Sequence, residues 1–247
     1  MQTQPKGTRL SRIGCGSAAI GLLLIAVSAG HKPGFIDSWQ LAFGALALGG
    51  LAMFVALITA GLGLVRSGGR AGAASRPATW LAFLTALLIT GFNVSRISAM
   101  GGPPIHDIST DLDDPPAFVA VVPLREAAGA ANPPAYFPEQ SAALQAQAYP
   151  DIRTIVVDMP AEAAFARART VATELGWELV DVAPEEGRIE AVATTPWIGF
   201  KDDVVIRVRA SGTQTRVDLR SKSRVGRGDA GFNAQRIRAF RERLASG

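Results

Sequence analysis

Apolar and polar positions divide the chain into two regimes. Ile13–Gly30 reads IGCGSAAIGLLLIAVSAG, and Ser38–Val65 reads SWQLAFGALALGGLAMFVALITAGLGLV. A third apolar run opens at Thr79, TWLAFLTALLITGFNVS, and fades near Arg96. Crossing ~30 Å of hydrocarbon takes about 20 apolar residues in a helix. The pattern therefore predicts a membrane region over 1–100 with three helices, at about 13–30, 38–65 and 79–98. The second run is longer than a span needs and should tilt or extend beyond the core. The first is rich in Gly and Ala. A cleaved signal peptide is its competing reading, against which Ser28-Ala29-Gly30 is only a loose cleavage site.

From Ile152 onward the period changes. Arg153–Val157 reads as a strand, and Pro160–Leu175 as a helix with Ala161, Ala164, Phe165, Ala168, Val171, Ala172 and Leu175 on one stripe. Asp158 is placed to cap its start and Gly176 its end. Trp177–Val182, Arg188–Thr195, Val204–Ala210 and Thr215–Ser221 read as four strands, with a hairpin signal at Ser211-Gly212. A last helix runs from about Ala230 to Leu244. The order β-α-β-β-β-β-α with short connections predicts a mainly antiparallel sheet, in an α+β two-layer sandwich over 151–247. Val204, Ile206, Val208, Val217 and Leu219 form its helix-facing side. Glu190, Arg207, Asp218 and Arg220 fall on the opposite side, open to solvent or covered by what precedes the domain. That preceding stretch, 101–150, holds nine prolines. It reads as an extended segment lying over the domain, with one short helix around Ser141–Gln147.

Charge refines the picture. Only five charged residues lie between Ile13 and Thr90: Lys32, Asp37, Arg66, Arg70 and Arg76. Basic residues gather before the first helix (Lys6, Arg9, Arg12) and between the second and third (Arg66, Arg70, Arg76). Asp107, Asp111, Asp113 and Asp114 follow the third. The positive-inside rule then predicts a cytoplasmic N-terminus and an extracytoplasmic C-terminal domain. Arg96 is the dissenting charge and should snorkel to the headgroups. The net charge of +4 hides a split: 103–199 carries 5 basic and 15 acidic side chains, 200–247 carries 12 basic and 5 acidic. The high pI is therefore no nucleic-acid signal. Cys15 is the single cysteine. It lies in the first apolar run; no internal disulfide can form, and because the apolar stretch follows the cysteine and Arg12 sits three positions before it, lipidation is rejected.

The stretches PPIHDISTDLDDPPAF (103–118), TTPWIGFKDDVVIRV (194–208) and VDLRSKSRVGRGDAGFNAQRIRAF (217–240) resemble the bacterial family named domain of unknown function 1499, over roughly 103–245. Some members similarly carry membrane helices ahead of the domain. The resemblance implies a domain boundary and no established activity, so no catalytic residue is carried over.

Three groups could carry chemistry. Asp202 and Asp203 are paired carboxylates that could hold a hard cation through oxygen. The alternative is a solvated turn with Asp203 paired to a nearby arginine, and it fits better because a lone Asp-Asp lacks further ligands. His106, followed by four aspartates, could join a metal site. It reads more simply as part of an acidic, solvated linker. The glycine-punctuated basic loop from Arg220 to Asn233 leads into a helix N-terminus. Arg220, Ser223, Arg224, Arg227 and Asn233 could receive an anion or a partner there. The competing reading has Asp229 capping the helix itself.

No Gly-x-Ser-x-Gly, His-Glu-x-x-His or phosphate loop occurs, and no cofactor is implied. The reading is an integral membrane protein whose extracytoplasmic domain binds an anionic lipid, a glycan or an envelope protein without catalysis. Its partners are the bilayer and such a ligand, not nucleic acid. The alternatives are a carboxylate- or metal-dependent hydrolase and a structural subunit of a membrane complex.

Overall fold

The computed structural model describes residues 6–67, 76–99 and 102–246. Arg70 lies outside the described residues, as do the side chains of Lys6, Arg76 and Arg96, so the loop charges are read from sequence alone. The chain divides into two compact units, Met1–Ala99 with Pro196–Gly199, and Met100–Thr195 with Phe200–Gly247.

The first unit carries α1 (Lys6–Ser28), α2 (Trp39–Ser67) and α3 (Arg76–Ala99). Each is long and apolar enough to cross a membrane, with candidate spans at Gly7–Ser28, Trp39–Arg66 and Pro77–Ser95. Helix α1 begins seven residues before the apolar run does, because the basic flank with Arg9 and Arg12 continues the helix. The helices meet through small side chains. Ala18, Met53, Ala56, Ala82 and Ala86 form one buried cluster, and Ala60 is fully buried. At Gly14 an added Cβ would lie 2.7 Å from the Ala60 nitrogen, so the close approach of α1 and α2 requires glycine there. Leu22, Leu23, Leu51, Leu81 and Leu88 point outward, as lipid-facing residues do.

The second unit holds β1 (Asp107–Ser109), α4 (Val122–Ala127), α5 (Pro138–Ala148), β2 (Ile155–Val157), α6 (Ala161–Glu174), β3 (Glu178–Ala183), β4 (Arg188–Thr194), β5 (Lys201–Ser211), β6 (Gln214–Ser223) and α7 (Phe232–Ala245). From β2 to α7 the order is β-α-β-β-β-β-α. The sheet is antiparallel, ordered β1-β6-β5-β4-β3, with β2 also on β6. Both β1 and β2 lie along one edge of β6. Asp107–Ser109 pairs with residues 220–222, and Ile155–Val157 with residues 215–217.

Strand alternation sorts the side chains. Ile189, Val204, Ile206, Val208, Val217 and Leu219 meet Ala164, Ala168, Val171, Ile237 and Phe240 of α6 and α7 in the main core. Trp177 stacks on Phe240 with ring centroids 5.7 Å apart, and Phe165 packs from the margin. Gly176 ends α6 at φ +75° and Gly212 turns the β5–β6 hairpin at φ +63°, both in the left-handed region that side chains avoid. Asp158 does not cap α6. The helix starts after Pro160, and the Asp158 carboxylate instead accepts a hydrogen bond from Gln214 Nε2 at 2.6 Å.

The proline-rich stretch is more structured than its composition suggests. It contributes a strand and two helices, and the helix expected at Ser141–Gln147 spans Pro138–Ala148. Proline is compatible with this because it sits in the first turn of both α4 and α5, where no intrahelical donor is needed. The segment packs on the sheet face away from α6 and α7. Phe118 and Val121 form a second core with Val192 and Val205. Asp107 is buried, so the acidic stretch is not simply a solvated linker.

Candidate functional site

The covered sheet face carries a dense set of buried charges. Polar residues alternate with core residues on β4, β5 and β6, and the covering segment brings partners to them. Asp203, with no exposed surface, takes both guanidiniums nearest to it. Arg224 donates from Nε and Nη2, at 2.7–3.2 Å, and Arg125 donates from Nη1. Asp107 receives Arg220 through two bonds of 2.8 Å and Lys222 at 2.9 Å. Further donors go to carbonyls, Arg220 to Pro116 and Pro134, Lys222 to Ala135, Arg125 to Asn132, while the buried Arg125 Nε has no hydrogen-bond partner among the described residues. Phe118 and Tyr136 lie beneath the Arg220 guanidinium at 4.7 and 5.2 Å. Burial pulls the Lys222 ammonium below its usual value, and Asp107 opposes that pull.

Glu190 is the clip for the covering segment. Its fully buried carboxylate accepts the backbone N–H groups of Val119, Ala120 and Val121 at 3.0–3.1 Å, and Arg188 binds it from the sheet. Asp218 accepts Thr110 Oγ1 at 3.2 Å, Thr154 Oγ1 at 2.6 Å and Arg207 at 3.1 Å.

The residues singled out in the basic loop enter this framework. Arg220, Ser223, Arg224 and Asn233 are buried, and Arg227 is exposed. Asn233 Nδ2 donates to the His106 carbonyl and to Ser223 Oγ, and its Oδ1 accepts Ser221 Oγ at 2.6 Å. Asp229 caps α7: its Oδ1 accepts Gly231 N–H at 2.8 Å and its Oδ2 accepts Asn233 N–H at 2.7 Å. Burial raises the Asp229 carboxyl above its ordinary range, and these two hydrogen bonds oppose the rise.

His106, Asp202 and Asp203 do not converge. Neighbours on a strand point to opposite faces. Asp202 accordingly turns to Arg236 at 2.7 Å, while Asp203 turns to Arg125 and Arg224. Among the described residues, no three His, Cys, Asp or Glu side chains come together as a metal site. The half-buried His106 is held below its ordinary pKa, first by burial and then by Lys222. Its Nδ1 has no partner among the described residues.

Sequence reading missed Arg125, Asp107 and Lys222 as buried ion partners and missed the clip at Glu190. The available signal was the charged alternation on β4–β6 together with the apolar Phe118 and Val121 in the proline-rich stretch. It also missed a hollow at the sheet edge. Where β1 and β2 diverge along β6, an open cleft of about 380 Å³ forms between the 110–113 turn, the end of α5 and the lead-in to β2. Arg153, Arg216, Asp111 and Asp113 line it, and Arg216 Nη2 lies 3.9 Å from Asp111 Oδ2.

A protein-family model matches residues 107–244, more than half of the chain; the family is described as Protein of unknown function (DUF1499). No curated protein matches the chain.

Proposed function

The chain belongs to the DUF1499 family, and from that premise we propose that it is a non-catalytic binding module anchored in a membrane by its three apolar helices. The observation that carries this reading is how the reactive groups are used. Asp107, Asp202, Asp203, Glu190 and Asp218 each have oxygens occupied by arginine, lysine or backbone donors. A general base needs a lone pair free to reach a substrate proton, and these carboxylates are committed to holding the fold. The edge cleft and Arg227 of the basic loop face solvent.

The extracytoplasmic placement of the domain is part of the same proposal and rests on the arginine distribution. It makes an anionic lipid, a glycan or an envelope protein the natural partner. The anion site proposed for the basic loop narrows to its exposed tip: Arg227 offers its guanidinium to solvent, whereas Arg224 is engaged with Asp203. The hydrolase alternative would have to free Asp202 or Asp203 from its arginines. Native mass spectrometry of the full chain released from nanodiscs tests the reading. A retained lipid or small molecule, left chemically unchanged, is expected; turnover of a bound molecule would overturn it.

A further inference from the structure

We propose that the cleft where β1 and β2 part along β6 is a binding site for a small zwitterion of amino-acid to dipeptide size, with Arg153 and Arg216 taking its carboxylate and Asp113 its ammonium. The proposal rests on the binding-module reading above and supplies its ligand class.

The cleft is a product of the topology. Strand β6 is paired by β1 over residues 220–222 and by β2 over residues 215–217. Between them Thr110 bridges the gap, its N–H donating to the Leu219 carbonyl at 2.9 Å and its Oγ1 accepting Leu219 N–H at 2.9 Å. Thr110 and Thr154 both donate to Asp218 Oδ1, which ties the two walls together below the opening. The floor is thus fixed by hydrogen bonds already made, and the volume of about 380 Å³ falls in the range of small-molecule sites.

The lining carries both signs of charge, joined only by a long ion pair of 3.9 Å between Arg216 and Asp111. Arg153 is steered by its Nε bond to the Pro150 carbonyl at 2.9 Å, which leaves both of its terminal nitrogens without a partner among the described residues. Arg216 donates from Nη2 to Thr154 Oγ1 at 3.3 Å. Its nearest carboxylate oxygen, on Asp111, is 3.9 Å away, beyond hydrogen-bond reach. Asp111 is otherwise engaged: Oδ1 accepts Asp113 and Asp114 N–H, and Oδ2 accepts Arg207. The exposed Asp113 carboxylate has no hydrogen-bond or ion partner among the described residues. The C-terminal end of α5, where carbonyls concentrate negative potential, lies on the same hollow through Ala146 and Tyr149. Two guanidiniums, a free carboxylate and a helix C-terminus on one hollow match a ligand carrying both signs. A simple anion would meet Asp113, and a simple cation would meet the arginines. Leu112 and Ile152 add an apolar patch for a short side chain.

The test is calorimetric titration of the full chain in nanodiscs with alanyl-alanine and with leucine as probes, and with N-acetyl-alanyl-alanine amide as the blocked control. Saturable binding of at least one zwitterion and none of the blocked dipeptide is expected. Arg153→Ala and Arg216→Ala should each weaken it by about tenfold, and Asp113→Asn by a similar factor, the size of one lost charge-assisted contact. The exposed positions of these side chains leave folding intact, which the unchanged melting temperature of each variant checks. The proposal is overturned if neither zwitterion binds, if the blocked dipeptide binds equally, or if the three variants bind as the parent does. Release of free alanine would contradict the non-catalytic reading while leaving the site in place. Absence of binding together with a ligand retained in native mass spectrometry would sink the site and spare the module.

Discussion

Replacing Asp203 by alanine should cost the soluble unit a large share of its stability. The carboxylate has no exposed surface and neutralises two guanidiniums that are themselves almost wholly buried, Arg125 and Arg224. Its removal deletes four hydrogen bonds and leaves two positive charges facing each other without a counter-ion. Breaking a buried pair from one side costs roughly 3–5 kcal/mol, against a total stability of about 5–15 kcal/mol for an ordinary domain. Urea unfolding of the full chain in detergent, followed by fluorescence in a background where Trp39, Trp80 and Trp197 are replaced by phenylalanine so that only Trp177, stacked on Phe240, reports, reads this out. With a slope of roughly 2 kcal/mol/M, the midpoint should fall by about 2 M. Arg224→Ala should cost less, because Asp203 keeps Arg125. Arg209→Ala, in an exposed pair with Asp114, should leave the midpoint unchanged. A shift below ~0.5 M for Asp203→Ala would refute the claim that these charges are structural, and would reopen Asp203 and Arg224 as a binding pair.

Other substitutions follow the same geometry. Glu190→Gln presents one acceptor oxygen where three backbone N–H groups and Arg188 now meet two, and should cost about 2–4 kcal/mol by the same denaturation. Phe240→Ala opens a cavity beside Trp177 in the main core and should cost ~3–5 kcal/mol; a loss below ~1 kcal/mol would mean the helix face packs otherwise. His106 gives a pH dependence. Its folded pKa is depressed by burial and by Lys222, so the unfolded chain takes up the proton first as pH falls. The contribution is fully present above pH 6.5 and is lost as pH drops through the lower folded value. His106→Gln should flatten the fall in stability that begins near pH 6.5 as pH drops; an unchanged slope would exclude it as the source. Asp151, held at about 2 by its hydrogen bonds to Arg238, loses its contribution in the same direction but only between 3.8 and that value.

Much of this architecture is legible in the sequence, and what is not has definite causes. The three apolar helices and the order from β2 to α7 follow from periodicity, because each element buries a continuous stripe or face. Val204, Ile206, Val208, Val217 and Leu219 announce the main core by alternation alone. The role of Glu190, Arg220 and Lys222 does not follow from alternation, because a charged strand face reads the same whether water or another segment covers it. The decisive partners, Asp107, Arg125 and the Val119–Val121 amides, lie between 69 and 113 residues away in sequence. Proline density disguised α4 as irregular chain and hid the first turn of α5, although proline in a first helical turn is favourable. The paired Asp202-Asp203 suggested a cation, but strand geometry sends the two carboxylates to opposite faces. The edge cleft is written in no motif. It arises where two short strands share one partner.

The covering segment is an integral layer that seals the charged sheet face. Hydrogen exchange of the full chain, read by mass spectrometry, tests this most directly. If the layer is integral, the Val119, Ala120 and Val121 amides bound to Glu190 should exchange as slowly as those of β5 and β6, opening only with the whole unit. Exchange of these three amides orders of magnitude faster than the strands beneath would mean that the layer lifts independently. The charged face would then be an accessible site, and the structural reading of its arginines would fall.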